Sequence, residues 1–187
     1  MKGNHEQFFE HSHQKFVRTC WYRNGGAWAY DHYGSDEFEA LKIMVTELPT
    51  AIVVGTGSDR FNIIHAQPHH HFGRMDDGVF DTIPFPELEA DVMWSRELFY
   101  YPTQYAFTKG LSTTYVGHNP ATMLVRAGPI YFLDRNAHRS YTDPESCLAV
   151  ACHTDGVIYE FYPPLNTLNI TPYADVPDMS HPDFEDM

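Results

Sequence analysis

At 187 residues the chain is long enough for one domain with a real core and too short for two comfortable ones. Its apolar share of 43% with 15% aromatic is globular, and 12 basic against 25 acidic residues leave a formal charge of −13. Such a surface repels phosphate backbones and excludes nucleic-acid binding over a broad face, yet a local cationic or metal-bearing pocket can still hold one phosphate group.

In chain order, the opening MKGNHEQFF leads into a predicted helix from Glu6 to about Arg18, with Phe8, Phe9, Phe16 and Val17 on one face. Trp21 to Trp28, containing Asn24, Gly25 and Gly26, reads as a loop. Ser35 is the predicted N-cap of the next helix, with Asp36 and Glu37 in its first turn. Its stripe is Phe38, Leu41, Met44, Val45 and Leu48, and Pro49 marks the stop. The period then changes. Ala51 to Gly55 and Phe61 to His65 are β-branched or apolar runs around a turn at Thr56 to Asp59, which predicts a hairpin or two adjacent strands. Gln67 to Glu89 holds too many breakers for regular structure, and Leu88 to Leu98 is a candidate helix carrying Trp94, Arg96 and Glu97. Thr113–Val116, Met123–Ala127, Ile130–Leu133, Leu148–Cys152 and Val157–Phe161 are predicted strands, giving an α+β order. Residues 1–165 are read as one domain and 166–187 as an acidic, proline-containing tail. From Pro172 onward that tail has five acidic residues, no basic one and three prolines, the pattern of a solvated, poorly ordered end.

No run approaches the ~20 apolar residues of a membrane span, and the amino terminus has no apolar segment of signal-peptide length. The chain reads as soluble and cytoplasmic. Cys20, Cys147 and Cys152 are an odd number with no CxxC pair, which suits buried thiols in a reducing compartment.

Three places combine the expected end of a β run with a metal-capable side chain: Asn4 and His5 at the start, His65 after FNII, and His118 after TTYV. Side chains at the ends of neighbouring strands converge even when far apart in sequence, which is one way a metal site is built. The run His69, His70 and His71, near Asp76, Asp77 and Asp81, is read first as a solvated loop, ahead of substrate contact or a replacement metal site, because adjacent residues rarely point the same way. His138 and His153 have no motif context and are read as structural.

KGNHE, HAQP at 65–68 and VGHNP at 116–120 resemble, in that order, the third, fourth and fifth signature blocks of the calcineurin-like metallophosphoesterases. NGGAW at 24–28 and WSRE at 94–97 narrow the likeness to the small phosphoprotein phosphatases of the phage lambda type. The resemblance runs from Gly3 to about Phe161. It implies a four-layer αββα sandwich around a two-metal site, with a divalent ion, Mn2+ ahead of Fe, Zn or Ni, that activates water against a phosphoprotein or small phosphoester. Asn4, His65 and His118 would ligate one ion, and His5 would protonate the leaving group. Arg96 would hold a phosphate oxygen, and Lys2 would take the place of an arginine beside the phosphate, with the charge but without the bidentate fork.

The family's first two blocks, GDxHG and GDxxDRG, do not occur in the chain. They supply every carboxylate of the bimetal site, so the expectation is a partial sandwich without its first strands and a weak, three-donor metal site of neutral ligands. Three explanations fit: a start at an internal methionine, which Met1 favours by falling where a family strand has an apolar residue; a complementing chain; or a non-catalytic member that oligomerises through the exposed sheet edge. The leading functional expectation is a metal-dependent phosphoesterase, incomplete as a lone chain. The alternative is a non-catalytic phosphatase-fold interaction or scaffold subunit.

Overall fold

The computed structural model describes residues 1–68, 74–75, 77, 91–107, 111–181 and 184. The first helix differs from its expectation: α1 (Asn4–Glu10) and α2 (Lys15–Arg23) replace one continuous helix, with a break at His11–Gln14. The Ser12 carbonyl leaves the helical ladder there and accepts from Arg18 Nη1 at 3.0 Å and Tyr33 Oη at 3.4 Å. Phe16 is 79% exposed, so the apolar stripe does not continue across the break. Trp21, expected in a loop, is the buried anchor of α2. A Cβ at Gly26 would lie 2.5 Å from the Trp21 indole, which explains why the NGG turn takes no side chain at that point.

Helix α3 (Asp36–Thr46) is capped as expected, the Ser35 hydroxyl accepting from Phe38 N at 3.2 Å. Only part of its predicted stripe is inward. Phe38 and Val45 join Phe9, Trp21 and Ala29 in a helical core, with Phe9 edge-on to Phe38 at 4.6 Å, while Leu41 and Met44 lie exposed.

Strands β1 (Ala51–Val54) and β2 (Phe61–Ile64) form the predicted antiparallel hairpin. Residues 91–94 are helical, the chain opens at Ser95 and Arg96, and α4 (Glu97–Tyr100) follows, so the candidate helix is interrupted at Arg96. Its first residues, 88–90, and His69, His70 and His71 lie outside the described residues. Strands β3 (Arg74–Met75) and β4 (Ala106–Phe107) make a short parallel pair. Strands β5 (Thr113–Val116), β6 (Val125–Ala127) and β7 (Ile130–Phe132) complete a mixed five-stranded sheet of order β1-β2-β5-β7-β6, with β2, β5 and β7 parallel. The molecule is mixed α+β.

Period-two alternation gives that sheet two buried faces. Ile64, Val116, Ile130 and Phe132 point to one side, where Val92, Met93 and Leu98 cover them. Tyr115 and Tyr131 point to the other, against Ile158 and Ala151 of an antiparallel sheet made of β8 (Leu148–Cys152), β9 (Val157–Tyr162) and β10 (Thr167–Pro172). Residues 167–181 of the segment expected as a separate tail are therefore built into the fold. β10 pairs with β9 over six residues, Val176 and Met179 are buried, and Asp178 binds Arg126 at 2.6 Å. Its acidity misleads as a sign of disorder because one of its carboxylates has a basic partner on β6. No helix among the described residues is long and apolar enough to cross a membrane.

Candidate metal centre

Three elements bring the predicted ligands together. Asn4 opens α1, His65 follows β2, and His118 follows β5, the strand that pairs with β2 in parallel register. Parallel pairing puts the two histidines at the same end of the sheet, and a bond from Gly117 N to the His65 carbonyl at 2.8 Å extends the ladder to them. His65 Nε2 lies 2.9 Å from Asn4 Oδ1 and 3.1 Å from His118 Nδ1.

Gly3 makes the approach of α1 feasible. A Cβ there would sit 2.6 Å from His65 Nδ1, inside any tolerable contact. The Glu6 carboxylate accepts from Gly3 N at 2.9 Å, and Lys2 N donates to the Pro49 carbonyl at 2.7 Å, so the turn is held from both sides. His118 itself has φ 64°, a left-handed conformation uncommon for a residue with a side chain. Backbone strain of this kind persists where surrounding contacts over-determine it. Here Arg96 Nη1 donates to the His118 carbonyl at 3.1 Å and to Asn119 Oδ1 at 2.9 Å.

Both imidazoles are kept neutral. Burial, then the Arg96 guanidinium and His65, push His118 down to about 4, against the opposing pull of the Trp94 carbonyl. Burial also lowers His65, with Glu6 as the main opposing charge. His118 Nε2 lies 3.3 Å from the Trp94 carbonyl. A proton on Nε2 directed at that carbonyl leaves the Nδ1 lone pair facing His65, the orientation that a carbonyl partner imposes on a ligating histidine.

The remaining expected residues divide. Arg96 stands beside His118, exposed, at the interruption between residues 91–94 and α4. His5 is exposed next to Asn4 and lines a cavity of about 290 Å3 with Trp21 and Trp28. Lys2 does not join the site: it is 4% exposed, and its ammonium binds Glu10 Oε2 at 2.9 Å and the Thr46 carbonyl at 3.4 Å inside the helical layer. The expected phosphate contact from Lys2 is thus corrected to a buried ion pair, because α1 passes its own carboxylate within reach. Sequence reasoning gave no role to Asn119, Trp94 or Asp134. Asn119 orients Arg96, the Trp94 carbonyl orients His118, and Asp134 joins His65 and His118 around a cavity of about 330 Å3. The first of these was readable as the Asn of GHNP; a backbone carbonyl carries no sequence signal.

Among the described residues no group of three or more His, Cys, Asp and Glu could hold a metal ion. The convergent set is two imidazoles and an amide. Their spacing still fits one divalent ion, since donors at about 2.0–2.1 Å in an octahedral shell stand about 3 Å from their neighbours. Compared with models of known protein families and with curated proteins, the chain gives no match to either.

Proposed function

We propose that the chain is a metal-dependent phosphoesterase of the phosphoprotein phosphatase type, built on part of an αββα sandwich and incomplete as a lone chain. The observation that carries this reading is the convergence of Asn4 Oδ1 and His118 Nδ1 on His65 Nε2, at 2.9 and 3.1 Å. With its proton on Nε2, His65 can donate to these two atoms, and with its proton on Nδ1 the same three lone pairs would hold a divalent ion. When bound, the ion supplies Lewis acidity toward a phosphate oxygen and lowers the pKa of water.

The chain's own residues supply the rest. Arg96 binds the His118 and Asn119 oxygens through one terminal nitrogen, Nη1, and would present the remainder of its fork to a phosphate oxygen. His5, exposed one residue beyond Asn4, would deliver the proton to the leaving alkoxide. Three neutral donors bind a hard cation weakly, because carboxylate oxygen is what compensates for its lost hydration.

Titration with Mn2+ followed by calorimetry and by the Mn2+ electron-spin signal tests this. Weak binding is expected, lost by tenfold or more in His65→Ala and in His118→Ala and retained in His5→Ala. Mn2+-dependent hydrolysis of para-nitrophenyl phosphate, lost in His5→Ala and Arg96→Ala, would establish the catalytic part. No Mn2+ binding, or binding indifferent to His65 and His118, overturns the proposal. Binding without hydrolysis favours the second reading, a phosphatase-fold interaction subunit, which the exposed apolar side chains of β8 and β10 support independently.

A further inference from the structure

We infer that the outer face of the β8-β9-β10 sheet is an interface between two copies of this chain. The register sets two apolar rows across all three strands, Leu148–Phe161–Leu168 and Val150–Tyr159–Ile170. The opposite face of the same strands is the one that packs inward, through Ala149, Ala151 and Ile158. The outer rows meet nothing among the described residues that buries them. Leu148 is 50% exposed, Val150 51%, Leu168 55% and Ile170 57%, and Phe161 is 38% exposed at the centre of its row.

Isolated exposed apolar residues are ordinary, whereas a contiguous patch is not. Alternation in β8, β9 and β10 puts no charged residue on this face: the acidic residue of the three strands, Glu160, points inward and binds Arg135 at 2.8 Å. On a chain of net charge −13, a face free of charge is where a second, equally acidic copy can approach closely. The six side chains expose about 500 Å2, so two copies face to face remove about 1,000 Å2 before any rim contact, the lower bound for a specific interface. A two-fold axis requires a self-complementary patch, and a pleated apolar surface packs on its own copy with side chains interdigitated, as sheets do inside sandwiches. The inference does not depend on the metal site.

Sedimentation velocity and light scattering on the full chain test it. The expected result is a reversible dimer of twice the 21.5 kDa chain mass that strengthens as salt rises, since screening relieves the repulsion between acidic copies and an apolar contact is not weakened by it. Val150→Lys and Ile170→Lys, at the two exposed ends of one row, should each weaken the dimer at least tenfold with an unchanged circular dichroism spectrum. Met44→Lys, an equally exposed apolar position on α3, should leave it intact. A monomer at every concentration, a dimer that weakens with salt, or a dimer indifferent to Val150→Lys and Ile170→Lys overturns the inference.

Discussion

Gly3 shows how one residue without a side chain determines a site made by others. The helix α1 begins where it does because its first turn rests against the His65 ring, 2.6 Å from where a Cβ would stand. Gly3→Ala should displace either the ring or the helix and destabilise the protein by about 1–3 kcal/mol, read from urea unfolding midpoints. Mn2+ affinity should fall alongside, whereas unchanged stability and affinity would show that the turn has slack. Lys2, its neighbour, teaches the opposite lesson. Its place beside GNHE suggests a ligand contact for the basic side chain, yet the ammonium finds Glu10 within its own helical layer. Residue type and position along the chain were legible; the direction of the side chain depended on which carboxylate came closest in space.

At the scale of elements, strands were more legible than helices. β1, β2 and β5 fall where β-branched and apolar runs lie, because short strands bounded by turn formers carry their signal locally. The first helix reads as continuous in sequence because its break consists of polar residues that a helix tolerates. What divides it is the capture of the Ser12 carbonyl by Arg18 and Tyr33, a tertiary event. Strand β9 carries the clearest energetic consequence. Glu160, facing inward from it, forms a buried pair with Arg135, whose guanidinium also donates to the Ala121 carbonyl at 2.7 Å and to Tyr162 Oη at 3.3 Å. Arg135→Met leaves the carboxylate without its cation and should cost about 3–5 kcal/mol, while the double change Arg135→Met with Glu160→Leu should recover much of that loss. Calorimetric melting of the three variants measures it, and equal destabilisation by the single and double changes would contradict the account.

For the whole molecule, two carboxylates that hold distant segments together set its response to acid. Burial raises Asp178, but the Ser180 hydroxyl, the Gly128 and Ser180 amides and Arg126 together hold it below its ordinary value. Asp77 behaves alike through Ser112, Asn62 and Arg60. A depressed folded pKa means that the unfolded chain binds protons first, so the stabilisation is complete well above pH 4 and lost as pH falls through the folded values. Unfolding midpoints should therefore be insensitive to these groups near neutrality and drop below about pH 4, with the drop reduced in Asp178→Asn. Composition and local periodicity are properties of neighbours along the chain, and they carry the acidic character, the α+β order, most strand positions, and the residue types Asn4, His65 and His118. Only packing brings Asn4 and His118 to hydrogen-bond distance of the His65 ring and turns Lys2 toward Glu10. Packing also makes residues 167–172 the third strand of a sheet whose outer face, among the described residues, is left apolar and open. Each depends on register between segments dozens of residues apart, and register is set by packing rather than by any local preference.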